Sequence, residues 1–424
     1  MSSEWRTTTV GEICAKVFSG GTPTSTNCTY YDGGTVPWLR TKEVNYCRIY
    51  NTEEHITELG VENSSVKLVP VNSVIVAMYG NGDTAGRVAI NKVPLTTNQA
   101  CCNLVVDACQ ADYRFVYYYL MGQYKALVDL KNGGAQQNLN SQLIKAFPIA
   151  LPGIAEQVEI SALMEALDDR ITLLRETNVT LEAIAQALFK SWFVDFDPVR
   201  AKMEGRAPEG MDEATAALFP DGFEESALGL VPRGWQPGAL GDIAQTVRKQ
   251  LQPAELHAEL HYVGLEHIPR QSLSLSSWGT ADGLESAKAA FSERDILFGK
   301  LRPYFHKVVV APFDGVCSTD VLVCQGTFPE YYGVAAMHLF STALIDYADR
   351  LSNGAKMPRV NWKDLAAYPI AIPPKRIAAE YAQAIEPMLA RMKSNVHEAQ
   401  TLATLRDTLL PRLISGALRL PEAP

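Results

Sequence analysis

Two acids and four aromatic residues lie close together in FKSWFVDFDP, which spans residues 189–198. Paired carboxylates can act as a general acid and a general base when their side chains converge on one substrate. Asp195 and Asp197 are only two residues apart, and side chains at that spacing diverge in direction on a helix. We therefore favour a structural role, in which the aromatic residues pack at the end of a helix.

A glycine-rich loop, YGNGDTAGR at residues 79–87, follows an apolar segment and is the stretch most typical of an enzyme. Its third glycine comes one residue too late for a GxGxxG fingerprint, and no GK[ST] follows to place a lysine on a phosphate. The loop is better explained as a tight surface turn. An enzyme with an unrecognised site remains an alternative.

No other catalytic or metal-binding pattern occurs in the sequence. GxSxG, HExxH and CxxC spacings are absent, and DFDP lacks the second proline and the aromatic residue of a DPPY-type motif. The eight cysteines are most simply reduced, structural thiols, with Cys101 and Cys102 in a buried strand. We predict no catalytic residue, no metal site and no bound cofactor.

The chain contains an internal repeat with an offset of 221 residues. The segment at 132–152 aligns without gaps to the segment at 353–373, with eight identities in 21 positions. The matching place in the second half for the glycine-rich loop is GKLRPYFHK (299–307), which retains none of its glycine pattern. The sequence therefore predicts two copies of one fold that differ in their loop sequences.

Each copy of the repeat continues into a long heptad pattern, which predicts a helix that packs against another helix. We expect the two helices to pair as an intramolecular antiparallel coiled coil. Asn178 and Asn395 lie on the two seams, where a polar residue usually fixes register at a cost in stability. The alternative is that both asparagines reach solvent. The seams comprise Met164, Leu167, Ile171, Leu174, Asn178, Leu181, Ala185, Leu188 and Trp192, and Ile385, Met388, Met392, Asn395, Ala399, Leu402, Arg406, Leu409 and Leu413.

The predicted fold class is α/β, with two mixed α/β domains, two long helices and pseudo-twofold internal symmetry. The predicted segments are an α/β domain at 1–150, a central helix at 151–197, an acidic connector at 198–234, a second α/β domain at 235–373 and a C-terminal helix at 374–420.

The net charge of −9 is concentrated in one segment. Residues 195–225 contain nine acids and three bases, so this segment carries −6 and the remainder is nearly neutral. Basic surfaces for nucleic acid thus remain available elsewhere. The N-terminus lacks a signal-peptide pattern and no long apolar run occurs, so we expect a cytoplasmic protein without a membrane span.

Several predicted turns and loops combine bases, amides and aromatic residues, which can contact phosphates and base edges. They are candidate contacts to double-stranded DNA. The candidates are Gly20, Gly21, Thr22, Arg40, Lys42, Asn81, Arg87, Gln136, Gln137, Asn138, Arg248, Lys249, Lys300, Arg302, Tyr304, His306, Lys307, Lys356 and Arg359.

Four further blocks carry a family resemblance: GGTPTS with YYDGGTVPWLRTKEV (20–44), LPGIAEQ (151–157), LFKSWFVDFDPVRAK (188–202) and SALGLVPRGW (226–235). With these blocks the sequence resembles the specificity subunit (HsdS) of type I restriction-modification systems. It departs from the family pattern at the start of the second helix, where IPPKRIAAEYA (372–382) replaces the usual Glu-Gln pair.

The resemblance implies two target-recognition domains that each read half of a split, asymmetric DNA site, with the paired helices setting the gap. It also implies two methyltransferase subunits, which bind S-adenosylmethionine, and up to two restriction subunits. The specificity subunit itself is not a catalyst. In that setting we predict that Phe189, Trp192, Phe193 and Phe196 bury against the second helix or bind a methyltransferase subunit. A methylation-only or other phage-defence complex without a nuclease is the alternative.

Overall fold

The computed structural model describes residues 5–80, 83–130, 138–352 and 357–420. The chain divides into two compact units. Unit 1 comprises Met1–Arg170 and Leu402–Pro424, and unit 2 comprises Ile171–Thr401. Within the described residues, no helix is long and apolar enough to cross a membrane.

Unit 1 contains two mixed sheets. The first has the strand order β2-β10-β7-β8-β4 and the second β5-β3-β9-β6, while β1 pairs with β11. The strands are β1 Arg6–Thr9, β2 Cys14–Ser19, β3 Val36–Leu39, β4 Cys47–Ile49, β5 Glu54–Ile56, β6 Leu68–Val69, β7 Val74–Ala77, β8 Val88–Asn91, β9 Leu95–Thr97, β10 Cys101–Val106 and β11 Pro148–Leu151. The helices that begin in this unit are α1 Glu58–Glu62, α2 Tyr113–Gly122, α3 Tyr124–Asp129, α4 Ser141–Ala146 and α5 Ile154–Phe193.

The core of unit 1 forms where β7 and β8, which are buried along their whole length, meet α2. Such short, continuous apolar runs are typical of strands covered on both faces. Asp112 caps α2 by accepting hydrogen bonds from the backbone N–H groups of Arg114 and Phe115, which starts the helix at this residue. The buried face of α2 then covers the sheet.

Unit 2 repeats the arrangement. One sheet has the order β15-β23-β20-β21, a second has β16-β19-β22-β17-β18, and β14 pairs with β24. The strands are β12 Phe223–Ser226, β13 Gly229–Pro232, β14 Gln236–Ala239, β15 Ala244–Val247, β16 Gln250–Leu251, β17 His261–Val263, β18 Gly279–Thr280, β19 Lys288–Phe291, β20 Ile296–Gly299, β21 Val308–Val310, β22 Gly315–Cys317, β23 Val321–Gly326 and β24 Pro369–Ile372. The helices are α6 Asp197–Met203, α7 Glu213–Leu218, α8 Leu240–Ile243, α9 Tyr332–Phe340, α10 Thr342–Leu351, α11 Trp362–Ala366 and α12 Lys375–Ile414.

The long helices confirm the repeat. Helices α5 and α12 each contain 40 residues and begin at Ile154 and Lys375, which are separated by the predicted offset of 221 residues. In unit 2 the two helices run antiparallel, because Asn178 pairs with Asn395 while Ala185, further along α5, accepts a hydrogen bond from Tyr381. The predicted coiled-coil pairing is thereby confirmed for this unit.

In unit 1 the first part of α5 pairs with the last part of α12. Asp168 accepts a hydrogen bond from Arg406 at 2.7 Å, and Met164 shares a buried cluster with Leu413. The pairing direction is again antiparallel. Arg406 occupies a seam position as predicted, and its charge is balanced there by the carboxylate of Asp168.

The seam asparagines are buried and bonded to one another, so the solvent-reaching alternative is wrong. Asn395 is fully buried and its Nδ2 donates to Asn178 Oδ1 at 2.8 Å, while Asn178 Nδ2 donates to the carbonyl of Met392 at 3.1 Å. In this register both Nδ2 groups are bonded, and a shift of either helix along the seam would separate the two side chains. The pair therefore fixes how the two helices align in unit 2.

Residues 198–234 are folded, although their composition suggested a connector. Helices α6 and α7 and the hairpin of β12 and β13 occupy most of the segment, and Val199, Phe219 and Val231 are buried. These three apolar residues anchor an otherwise acidic and exposed surface. The net negative charge is therefore carried by a structured part of unit 2.

Candidate nucleic-acid interface

Four predicted DNA contacts of unit 2 line a single cleft. Arg248, Lys249, Lys300 and Arg359 surround a cavity of about 490 Å³, and none of the residues lining it is acidic. Asp320, next to the cleft, accepts a hydrogen bond of 2.8 Å from Arg359 Nε and holds that guanidinium in place. The result is a concentration of positive charge on a chain that is acidic overall.

The sheet topology explains why residues distant in sequence meet there. Strand β23 is antiparallel to both β15 and β20. The start of β23 and the last residues of β15 and β20 therefore lie at the same end of the sheet. Arg248 and Lys249 directly follow β15, and Lys300 directly follows β20. An isolated β-bridge pairs the backbone of Leu301, the next residue, with that of Arg359, which brings the fourth cation to the same place. These contacts place all four charges on backbone fixed by strands.

The loop after β20, residues 300–307, extends this basic surface. A neighbouring cleft of about 280 Å³ is lined by Arg302, Phe305 and Lys307 among others. The guanidinium of Arg270 lies 4.0 Å from the centroid of the Phe305 ring, and that of Arg302 lies 5.9 Å away. Arg270 was not among the predicted contacts. Its position after Pro269, in a turn between strands, is the sequence signal that could have suggested it.

The prediction that His306 contacts DNA is wrong. Its side chain is buried, and its Nε2 lies 2.7 Å from the carbonyl oxygen of Phe340, to which it donates. Burial lowers the pKa of His306, so the ring favours its neutral form. A buried, neutral imidazole bonded to the backbone does not reach DNA. Its role is to hold the loop.

In unit 1 the predicted contacts are spread over several loops and many are balanced by acids. Arg40 pairs with Glu54 at 2.5 Å, and Lys42 pairs with Glu53. Arg87 pairs with Asp83 at 2.6 Å, across the turn of the glycine-rich loop. These cations are thus partly neutralised in the free chain, and an incoming phosphate would have to compete with a carboxylate.

Gly20 and Gly21 have a packing role. A Cβ atom at Gly20 would lie 2.1 Å from the carbonyl oxygen of Thr97, and Gly21 accepts a hydrogen bond of 3.1 Å from the indole of Trp38. The next residue, Thr22, is exposed and donates to Gln99 Oε1. The glycines therefore allow close backbone contact, and Thr22 is the residue of this motif that faces outward.

The remaining predicted contacts of the repeat segment are only partly visible. Asn138 is exposed in a bend that precedes α4. Asn81, Gln136, Gln137 and Lys356 lie outside the described residues. The prediction that these side chains contact DNA stays a prediction.

Among the described residues, the acids, histidines and cysteines show no arrangement typical of a metal centre. No group of three or more His, Cys, Asp or Glu side chains there could hold a metal ion. All eight cysteines are free, and burial raises the pKa of Cys14, Cys102 and Cys317 to about 12. Such thiols stay protonated at neutral pH and are poor nucleophiles.

Comparison with known proteins agrees with this picture. Residues 2–183 match the model of the type I restriction modification DNA specificity domain. The specificity subunit of the type I restriction enzyme MjaIX from Methanocaldococcus jannaschii is 26% identical over 97% of this chain and 92% of its own length. The chain is therefore similar to type I specificity subunits over nearly its whole length.

A second specificity subunit and a solved structure are also similar to this chain over most of its length. The specificity subunit of the type I restriction enzyme EcoDI from Escherichia coli is 25% identical over 81% of this chain and 77% of its own. The crystal structure of a type I restriction-modification S subunit from M. genitalium covers 100% of this chain and 98% of its own, with a TM-score of 0.56 and 15% identity. At that identity the likeness supports the fold, including the predicted pair of α/β domains with long helices.

The predicted partner contacts of the aromatic block, residues 189–196, need correction. Phe189, Trp192 and Phe193 are no more than 7% exposed, because they pack inside unit 2. The rings of Phe193 and Tyr381 lie 5.0 Å apart, and the rings of Phe196 and Trp235 lie 5.5 Å apart. Burial against the second helix, one of the two alternatives, is observed for Phe189, Trp192 and Phe193, whose rings lie against Tyr381. Phe196 is half-buried against Trp235 instead. Aromatic rings that already fill a core are unavailable to a second protein.

The two acids of the same block have structural roles as well. Asp195 pairs with Lys190 at the end of α5, and Asp197 is the first residue of α6, where a negative charge favours the helix N-terminus. Phe196 between them adopts a left-handed conformation with φ of 57°, which turns the chain sharply from α5 into α6. The block is therefore a helix end and a corner of the core.

Proposed function

We propose that this chain is the DNA sequence-specificity subunit of a type I restriction-modification complex, and that it reads a bipartite, asymmetric DNA site. The observation that carries the proposal is the cleft of Arg248, Lys249, Lys300 and Arg359 in unit 2. Cations held by strands at one sheet edge can neutralise successive phosphates, and phosphate contacts provide most of the affinity for DNA. The similarity of the chain to type I specificity subunits supports the same activity.

The internal repeat supports a two-part site. Symmetric proteins bind symmetric sites, because each half presents the same groups to DNA. Here units 1 and 2 share their sheet arrangement but differ in the loops that follow the central strands. Each unit would therefore read a different sequence, and the combined site would be asymmetric.

Partners complete the activity in this proposal. Two methyltransferase subunits, which carry S-adenosylmethionine, would be recruited by the specificity subunit, with two restriction subunits joining a restriction complex. This chain would bind no cofactor and would act as the non-catalytic, sequence-reading subunit in the cytoplasm. Because its own aromatic block is internal, a partner would have to use other surfaces. A methylation-only or other phage-defence complex is the second candidate.

The proposal is tested by selecting DNA from a random duplex library. The full chain would be purified with its cognate methyltransferase subunit, and the bound duplexes would be sequenced. We expect two short conserved segments separated by a fixed, unconserved gap. The matched control is the methyltransferase subunit alone, which should select no such motif. Selection of the same motif without this chain, or of no motif with it, would overturn the proposal.

A further inference from the structure

One aromatic ring projects from the loop that joins β20 to β21. Tyr304 is 50% exposed, while every other residue of the fully described segment 300–307 is buried or half-buried. Its ring contacts Phe305 edge to face, with centroids 4.7 Å apart. A large ring held in water at the tip of a loop removes little apolar surface from solvent within the chain itself. Packing of the folded chain therefore does not account for its position.

The backbone on both sides of Tyr304 is held in an uncommon conformation. Arg302 and His306 have φ values of 52° and 50°, in the left-handed region that residues other than glycine seldom adopt. The three residues between them, Pro303–Phe305, form a single tight turn. Strained residues of this kind persist only where surrounding contacts determine them, and they cluster at functional sites.

Several hydrogen bonds hold Arg302 and His306 in these backbone conformations. The N–H of Arg302 donates to Pro358 at 2.8 Å, and the carbonyl of His306 accepts from Gln271 at 2.9 Å. The imidazole of His306 is bonded to the carbonyl of Phe340 at 2.7 Å. The loop is therefore fixed at both ends and by a buried ring. The backbone that carries Tyr304 is therefore held in place on both sides.

Cationic residues flank Tyr304 along the loop, and they line two clefts, one of which also contains Glu266. Lys300 lines the larger cleft, and the neighbouring Leu301 forms the bridge with Arg359. On the other side, the guanidinium of Arg270 covers a face of Phe305. Phosphates bound by these cations would bring the base pairs of the duplex toward the loop tip.

We propose that Tyr304 is a base-stacking wedge, which inserts its ring at a base step of the DNA half-site read by unit 2 and determines specificity there. This inference rests on the proposed function and adds the mode of reading. An aromatic ring on a rigid loop can partly unstack a step, and the cost depends on the sequence that is deformed. His306 is a positioning residue in this arrangement, because it orients the loop without touching DNA.

A stacking role for Tyr304 predicts which base steps the DNA half-site contains. Pyrimidine–purine steps such as TA and CA are the most easily unstacked, so one such step should occupy a fixed place in the half-site. Loss of the ring should relax the preference at that step while the rest of the motif is kept. Loss of a phosphate contact would weaken all sequences alike.

The test uses the complex of the full chain with its methyltransferase subunit and duplexes that carry the selected motif. 2-Aminopurine would replace each adenine in turn across both half-sites and both strands, except the adenine that becomes methylated, because methyltransferases extrude their target. We expect fluorescence to rise on binding at one step with the wild-type chain and with Tyr304→Phe, which keeps the ring. Tyr304→Ala should abolish that rise and weaken binding roughly 10- to 100-fold.

The matched control is Tyr50→Ala, which removes an exposed tyrosine from unit 1 and should leave the fluorescence of the responsive step unchanged. An equal fluorescence rise with Tyr304→Ala would overturn the wedge, as would the absence of a responsive step with the wild-type chain. In both cases a selected split motif would leave the proposed function intact. If the wild-type complex selects no motif, the proposed function fails first.

Discussion

The seam pair of Asn178 and Asn395 supports a quantitative prediction about stability. Asn178→Ala removes the hydrogen bond from Asn395 Nδ2 and the one donated to Met392. The Asn395 side chain is fully buried, so its amide would lose its partner without gaining water. A stranded buried polar group costs about 1–3 kcal/mol and a lost hydrogen bond about 1 kcal/mol. We expect the free energy of unfolding to fall by about 2–4 kcal/mol.

Urea unfolding followed by the fluorescence of the buried Trp192 and Trp235 would measure this change, because both indoles lie in unit 2. Thr180→Ala is the matched control, since Thr180 is exposed on the same helix and its hydroxyl donates to the carbonyl of Glu176 one turn earlier. Its effect should stay within about 0.5 kcal/mol. The reasoning is refuted if Asn178→Ala is as mild as the control.

Three further predictions follow from the structure. Phe193→Ala should destabilise unit 2 by about 3–5 kcal/mol in urea unfolding and leave the selected DNA motif unchanged, because the ring is core; a changed motif would contradict this. Arg248→Ala and Lys249→Ala should each lower the slope of log affinity against log salt by roughly 0.9 if each contacts a phosphate, and an unchanged slope would exclude that contact. Burial raises the pKa of Glu182, so the folded chain holds this proton at higher pH than the unfolded chain, and stability should fall as pH rises through the raised pKa. Glu182→Gln should reduce that pH dependence in urea titrations, with the remainder coming from Asp295, whose pKa burial also raises; an unchanged dependence would contradict the assignment.

The periodic parts of the molecule could be predicted from the sequence. The heptad spacing and the offset of 221 residues predict two equivalent helices, and both begin at that separation. A polar residue on each seam predicted a register contact, which Asn178 and Asn395 make. Such features are predictable because they depend on spacing along one element and on the apolar character of its face.

The site was predictable only in part. Arg248 and Lys300 are recognisable as loop cations, but their meeting at one cleft depends on the order of β15, β23 and β20, which no local pattern specifies. His306 looked like a contact residue because the loop around it is basic, yet tertiary packing against Phe340 buries its ring. Burial of a polar side chain is decided by distant residues.

The aromatic block shows the same limit. The sequence indicates that Phe189 and Trp192 pack against something, and a second protein and the second helix satisfy that requirement equally well. In the structure these rings pack in the interior of unit 2. The ring centroids of Phe189 and His338 lie 4.8 Å apart, and those of Trp192 and Phe219 lie 5.3 Å apart. The partners belong to segments more than 25 residues away in sequence.

The central claim is that this chain determines which DNA sequence its complex acts on. Genome-wide mapping of adenine methylation, in cells that carry the cognate methyltransferase subunit with and without the chain, tests it most directly. We predict a split, asymmetric motif that is methylated only when the chain is present. Methylation of the same motif without the chain, or no sequence-specific methylation with it, would contradict the claim.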